Sequence, residues 1–387
     1  MRNVHIMDLP KDRVFVLLEI NFHDKLFIKI KDYGFDLLNK MLHNKLNYST
    51  FKQWRTRVHF IPLWFLEGAS ECLNINIEEL ENHIIAYKGP SASSVIENPH
   101  FPLVEDERLV RITAHLLGDG YAGGGFGMNL PKGKSHSEYK NFDRDLLDSF
   151  ERDLSVFGIV PTSKDYIHGH VIFPNVISYI LLHIYNIKFD CFSSRLPKYF
   201  FELSKELTEH FIRAFFDDEA HVYDSSIEVY SSNRLLIDDI LRLVRLKLKK
   251  LNVSDIKMNH NRGGKNSKYS FSVYNNSLQI YHKSIGFDSC RKMQDLEFNI
   301  KRINLWKVSR EIRDIPSLIM TSLKGKQMTA KDLSKTLVVR HTHALKMLNR
   351  LEKEGRVARI GKVKWSIIWK IKHENTTTIL QQNPSRD

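Results

Sequence analysis

Two acids one hundred residues apart mark the chemistry this sequence can do. Leu109-Val-Arg-Ile-Thr-Ala-His-Leu-Leu-Gly-Asp119-Gly120 reads as an apolar helix that stops on an acid flanked by two glycines. Phe211-Ile-Arg-Ala-Phe-Phe-Asp-Asp-Glu219-Ala220 repeats the pattern, with Glu219 in the equivalent position. Glycine after a helical run breaks it and lets backbones approach closely. Side by side, two such helix ends would hold like charges together, which neither carboxyl tolerates when ionised. A divalent cation between them removes the conflict. Hard oxygen ligands suit Mg²⁺, or a similar ion such as Mn²⁺, which keeps waters and takes phosphate oxygens as further ligands. The reaction class is then metal-assisted phosphodiester hydrolysis. Taken singly, either acid could do no more than end a helix; the reading rests on the pair.

Two nucleotide-binding patterns in the same stretch fail on context. Gly118-Asp-Gly120-Tyr-Ala-Gly123 spells the dinucleotide fingerprint, but that motif needs a strand before it and a helix after it, and here a helix leads in. Gly127 to Ser135 is one residue too long for a phosphate loop and lacks a preceding apolar strand. It reads instead as a basic hairpin loop carrying Lys132 and Lys134.

The elements around the two acids repeat. His170-Val-Ile-Phe-Pro-Asn175-Val-Ile-Ser-Tyr-Ile180 and Ser270-Phe-Ser-Val-Tyr-Asn275-Asn-Ser-Leu-Gln-Ile280 each begin with period two and continue with period 3.6. Helical patterns over 143–157 and 233–251 precede them. Each copy thus predicts helix, strand pair, helix, strand pair, helix, and the α+β class. The copies span 103–200 and 201–305, and a repeat seen twice is a duplicated domain rather than a solenoid.

Residues 1–100 form a separate, mostly helical N-terminal region with some strand. Val14–Ile20 and Leu26–Ile30 are β-prone runs that could pair. Helices start near Tyr48 (capped by Ser49 or Thr50) and Pro62, and Ile77–Tyr87 is a third; Trp54, Arg55 and Arg57 between them allow a helix-turn-helix or a purely structural cap. Gly89 to Pro102 reads as a linker. Residues 306–374 predict three helices and a basic hairpin turning at Gly361-Lys362, a winged helix-turn-helix. Thr329-Ala-Lys-Asp332 has capping-box character. In the third helix, 340–354, Ala344, Leu345, Leu348 and Leu351 make the buried stripe. Thr342, Lys346, Arg350 and Lys353 face away, placed with Lys362 and Lys364 to meet a groove or phosphates. Residues 375–387 have the composition of a disordered tail.

The charge supports a polyanionic partner. Of the +13 net charge, the segment from Trp306 to Lys372 supplies +12, from 17 Lys and Arg against five Asp and Glu. A compact basic module on a near-neutral body favours nucleic acid. Three isolated cysteines indicate neither a disulfide framework nor a thiolate metal site. No apolar run spans a bilayer and no signal stretch opens the chain, so an intracellular, DNA-associated protein without a membrane partner is expected.

Ile112-Thr-Ala-His-Leu-Leu-Gly-Asp119-Gly and Ile212-Arg-Ala-Phe-Phe-Asp-Asp-Glu219-Ala, together with the repeat architecture, resemble the LAGLIDADG homing endonuclease family. The segment from Asn275 through Ile285-Gly-Phe287 and Lys292 to Leu296 is similar to the end of that domain. The resemblance implies a duplicated αββαββα domain, a pseudo-dimeric monomer with internal pseudo-twofold symmetry whose saddle-shaped antiparallel sheets grip double-stranded DNA. Ala114 and Ala214 would let the motif helices pack closely. Asp119 and Glu219 would hold the metals, with Gly118 and Asp218 beside them. Lys292 matches a catalytic basic position, and its first-half counterpart would be Arg195 or else Lys198. Arg262, Lys265 and Lys268 join Lys132 and Lys134 as candidate DNA contacts. The sequence departs from the family at Leu117, where an acid is common, and at Ala220, where glycine is. The expected function is site-specific, metal-dependent cleavage of double-stranded DNA. The alternative is a DNA-binding transcription regulator that uses the same scaffold without cutting.

Overall fold

Two helices, Glu107–Gly118 and Lys205–Glu219, anchor the first body of the structure. The structure is a computed structural model that describes residues 2–43, 45–90, 92–122, 136–187, 189, 192–259, 268–308, 314–339, 341–363 and 366–372. Asp106 caps the first helix by accepting the N–H groups of Arg108 and Leu109 at 3.0 and 3.1 Å, and Ser204 caps the second through the N–H of Leu207 at 3.2 Å. The first is buried without interruption from Ile112 to Leu117, so its pattern is that of a core helix rather than a surface one. Each helix runs into the first strand of a four-stranded antiparallel sheet.

The two sheets have the same strand order. In the first, Gly120–Tyr121, Ser137–Lys140, His170–Phe173 and Ser163–Asp165 lie side by side in that sequence. In the second, Ala220–Tyr223, Ser226–Ser231, Lys268–Tyr274 and Lys257–Asn259 do. Alternation sets the faces: Val171 and Phe173, like Ile227 and Val229, are buried, while His170, Ile172, Glu228 and Tyr230 turn to the other side. Helices Arg144–Asp153 and Asn175–Tyr185 complete the first set and Arg234–Lys247 and Asn275–Ser284 the second. The fold is mixed helix and sheet, built from several small antiparallel sheets, as the α+β expectation had it.

The N-terminal region departs from the sequence reading. Phe15–Leu18 is a strand, but it pairs with Ile61–Pro62 and Ile84–Lys88, not with Leu26–Ile30. Ile20–Tyr33 is a helix, because Phe22, Leu26, Phe27 and Ile30 fall on one helical stripe and are buried together while Ile20 and Ile28 remain outside. The run at 77–87 divides into a short helix, Ile77–Asn82, and the strand Ile84–Lys88. Asn47, not Ser49 or Thr50, caps Tyr48–Arg55. Trp54 turns inward, packed against Trp64 and Phe65, so it offers nothing to a partner. The linker is stitched down as well: Glu97 exchanges both backbone hydrogen bonds with Ile159, and Leu103–Val104 pairs with Asn3–Val4. Extended backbone beside open strand edges takes up such partners. The chain therefore divides into two units, Met1–Val222 with Ile227–Met293, and Tyr223–Ser226 with Gln294–Asp387.

In the second unit, the helix Cys290–Val308 pins the loop at 223–226. Buried Arg302 donates to the Asp224 carboxylate at 2.7 Å, and Asn299 donates to the Tyr223 carbonyl at 2.8 Å. Helices Ile315–Leu323, Ala330–Leu337 and His341–Lys353 then enclose a core of Ile319, Leu323, Leu333, Leu348, Leu351 and Trp369 with a three-stranded sheet. Thr329 and Asp332 form the expected capping box, each accepting the other's backbone N–H at 3.1 Å. Leu345 is only half-buried. Gly361-Lys362 is not the hairpin turn: Gly361 follows a β-bulge and Lys362 lies opposite Ile367, because pairing with Ser366–Ile371 continues past it to Val363. The tail at 375–387 lies outside the described residues. Among those residues, no helix is long and apolar enough to cross a membrane.

Leu348 has no exposed surface, so Leu348→Ala should remove about 2–5 kcal/mol from this unit. Hydrogen exchange should then accelerate across 314–372 and leave the helices at 107–118 and 205–219 protected. Equal acceleration in both would mean that the two units unfold together.

Candidate active site

The helices Glu107–Gly118 and Lys205–Glu219 pack along their length, with Ala114 and Ala214 fully buried. At their C-terminal ends the approach is close. A Cβ added to Gly118 would lie 2.8 Å from the Cβ of Asp218, so glycine is needed there for the space it leaves. Asp218 uses that space to cross to the other helix. Its carboxylate accepts from His115 Nδ1 at 2.9 Å, from the Tyr139 hydroxyl at 2.6 Å and from Asn141 Nδ2 at 3.1 Å. His115 and Tyr139 are buried, with ring centroids 4.8 Å apart. Asp218 is thus committed to holding the two helices together.

Asp119 and Glu219 stand at the two helix ends. The Asp119 carboxyl is pushed up to about 7, first by loss of hydration and then by the charge of Asp218, against the pull of Lys292 and His115. Asp119 stays exposed on one side, so solvent moderates that effect. Glu219 is pushed up to about 8, again by burial first and then by Asp119 and Asp218, with Lys268 and Lys292 opposing. Asp217, raised to about 7 chiefly by burial, faces the other way and accepts the N–H groups of Asp288 and Ser289 at 2.9 and 3.1 Å, anchoring the start of helix Cys290–Val308. That helix delivers Lys292, which is 6% exposed and donates to the carbonyls of Phe216 (3.2 Å) and Asp217. Burial lowers its pKa while Asp217 and Asp218 hold it up. Burial also works against a charged His115, but Asp218 outweighs it and the imidazole is raised.

The sequence-predicted residues separate into three groups. Asp119, Glu219, Asp218, Gly118 and Lys292 come together at the helix ends, and the charge of Lys268, on the strand Lys268–Tyr274, acts on Glu219. Arg195 does not join them: its guanidinium forks onto Asp239 of helix Arg234–Lys247 at 2.8 and 3.0 Å. Neither it nor Lys198 lines the cavity of about 790 Å³ that Asp119, Asp218 and Lys292 border. Thr342, Lys346, Arg350, Lys353 and Lys362 are exposed in the second unit, with Arg350 paired to Glu354 at 2.8 Å. Lys132, Lys134, Arg262, Lys265 and Lys364 lie outside the described residues.

Sequence reasoning missed His115, Tyr139 and Asn141, and it missed the cations Lys140, Arg144 and Arg291 around the cavity. A histidine inside an otherwise apolar motif was the one available signal.

The sequence matches no family model and no curated protein. Among solved structures the chain is similar to I-DmoI in complex with DNA and Mn, at 14% identity over 46% of this chain and 97% of that one, with a TM-score of 0.32. It is also similar to the homing endonuclease I-WcaI bound to its DNA recognition sequence, at 12% identity over 49% and 86%, with a TM-score of 0.29. Likeness at that level decides nothing about activity, which rests on the geometry.

A carboxyl whose pKa is higher folded than unfolded binds its proton more tightly in the folded state, so its ionisation removes stability as pH rises between the two values. For Glu219 the window runs from 4.5 to about 8. His115, also raised, changes stability in the same direction, so the test compares variants rather than slopes. In metal-free buffer Glu219→Gln should melt above the unmodified protein at about pH 8, and the two should converge near about pH 5. A constant difference across that range would refute it.

Proposed function

We propose that this chain is a divalent-metal-dependent, site-specific endonuclease of the homing type acting on double-stranded DNA. Its scaffold is read as a duplicated αββαββα domain with internal pseudo-twofold symmetry, followed by a winged helix. The observation that carries the proposal is that Asp119 and Glu219 end two closely packed helices, with buried Lys292 bound to the carbonyls of the second. The identical strand order of the two sheets supports the duplication. Three helices with a small sheet and an exposed Thr342, Lys346, Arg350 and Lys353 face support the winged helix as a second DNA contact.

The donor set fits a hard divalent cation. Asp218 raises both Asp119 and Glu219, and Asp119 raises Glu219 further, against buried His115 and Lys292 and exposed Lys268. Both outer acids are destabilised as anions, which a cation reverses. Among the described residues no three His, Cys, Asp or Glu side chains group closely enough to cage a metal by themselves. Asp119 and Glu219 would therefore share a cation with water and phosphate oxygens, as suits Mg²⁺. When bound, the cation supplies Lewis acidity for phosphodiester hydrolysis. The chain's own residues do the rest. Lys292, fixed by two carbonyls, presents positive charge beside Asp119. Asn141 donates to Asp119 at 3.4 Å and to Asp218 at 3.1 Å, orienting the first acid. Lys140, Arg144 and Arg291, which border the cavity beside its acids, would supply cations for the phosphate backbone.

One observation favours the second reading, a DNA-binding regulator that does not cut. Arg195, the first-half basic candidate, is bound to Asp239 and so does not stand beside Asp119 as Lys292 does.

With Mg²⁺ and a library of random duplexes, the protein should produce double-strand breaks that Asp119→Asn/Glu219→Gln abolishes while duplex binding persists. Lys292→Met should slow cleavage by about 10²–10³. Tight binding by the unmodified protein with no breaks would give the regulator reading precedence.

A further inference from the structure

Two side chains, Phe142 on the lining of the cavity and Ile167 next to His168 of that lining, are more exposed than any other large apolar group among the described residues. Phe142 is 84% exposed and Ile167 is 85%, against 66% for the next, Val58. Isolated exposed apolar residues are ordinary, but these two sit on adjoining turns that the fold ties together. The Asn141 N–H donates to the Gly169 carbonyl at 2.8 Å. Arg144 lies over the Tyr166 ring at 5.2 Å, and the Tyr166 hydroxyl donates to Asp148 at 2.6 Å. Asp165 closes the second turn by accepting the N–H groups of Ile167 and His168 at 2.7 and 3.1 Å. Gly169, at φ +64°, leaves room for the ring of Phe142: a Cβ there would lie 3.0 Å from it and 2.6 Å from the Asn141 carbonyl oxygen. An aromatic group held out into solvent by this much structure loses little freedom when it is covered.

Phe142, His168 and Gly169 border the same cavity as Asp119, and Lys140, Arg144 and Arg291 border it with them. Apolar tips flanked by cations match a nucleic-acid duplex, whose charged backbones lie on either side of stacked bases. They match an apolar protein surface poorly. Resting on the reading of duplex DNA as the substrate, we propose that Phe142 and Ile167 form a wedge that enters a base step next to the cleavage site and unstacks it. Apolar wedges of this kind open the groove they enter and kink the duplex toward its opposite, major-groove side. Here the opened step would face Asp119 and Lys292, and sequences with easily unstacked pyrimidine–purine steps would be favoured.

The test uses a pool of short random-sequence duplexes in which 2-aminopurine replaces some adenines, with Ca²⁺ in place of Mg²⁺. Aminopurine fluorescence and anisotropy are read in the same samples. The full chain should bind and raise the fluorescence. Phe142→Ser and Ile167→Ser should abolish the rise and weaken binding about tenfold, Phe142→Leu should keep part of both, and all three should melt like the parent. Binding without a fluorescence rise, or a rise unchanged in Phe142→Ser, overturns the wedge and leaves the endonuclease proposal standing. A wedge signal from a protein that makes no breaks with Mg²⁺ upholds the wedge and removes the endonuclease. Failure to bind duplex at all overturns both.

Discussion

The arrangement around the site follows from forcing together the C-terminal ends of two helices that each carry a carboxylate. The position is unfavourable twice over. Helix C-termini already bear the negative end of the macrodipole, and the acids repel one another across the junction. Neither effect would survive on the surface of an isolated helix. It survives here because the same helices bury Ile112, Ala114, Leu116, Ile212, Ala214, Phe215 and Phe216 against each other and against the sheets. Hydrophobic packing far from the acids sets their positions, and the acids accept the electrostatic cost. A protein keeps such a local conflict where the conflict is the function.

The interface between the helices is not symmetric, and the asymmetry has a steric origin. On the first helix Gly118 stands where the second has Asp218, and Leu117 stands where the second has Asp217. The missing side chain at Gly118 admits Asp218, which finds His115, Tyr139 and Asn141 waiting. A buried pair of this type adds little net stability compared with an apolar contact, but removing one partner costs several kcal/mol. Its effect is to fix register: sliding one helix along the other would leave the Asp218 carboxyl buried without its donors. On the other side, Asp217 does the corresponding task for the helix that carries Lys292. Two of the four acids are therefore positioning devices for the other two.

Much of this was legible in the sequence, and the limits of that reading have physical causes. The acids, their spacing and the strand and helix order around them could be read because period and punctuation are local signals. Lys292 was placed by a resemblance, and the structure brings it beside the acids. Arg195 could not be placed, since what decides its direction is Asp239, a residue 44 positions away on a different helix. Leu26–Ile30 has the residue types of a strand, but the stripe of Phe22, Leu26, Phe27 and Ile30 decides the element. His115 was visible as an odd residue in an apolar run, but its meaning depends on Asp218 and so on the packing of the two helices. Local chemistry is written in the sequence; the pairing of one helix's residues with another's is not.

If the two halves descend from one, as proposed, then a single chain has been free to equip them differently. A symmetric dimer must place the same groups about each acid. Here the charges that oppose the rise of Asp119 are Lys292 and His115, whereas for Glu219 they are exposed Lys268 and then Lys292. The cavity lies on the Asp119 side, bordered by Asn141 and Arg144 from the first half and by Arg291 and Lys292 from the second. The cavity thus draws its lining from both sets of elements. That dependence is what makes two weak motifs into one site, and it is why either motif taken alone says so little.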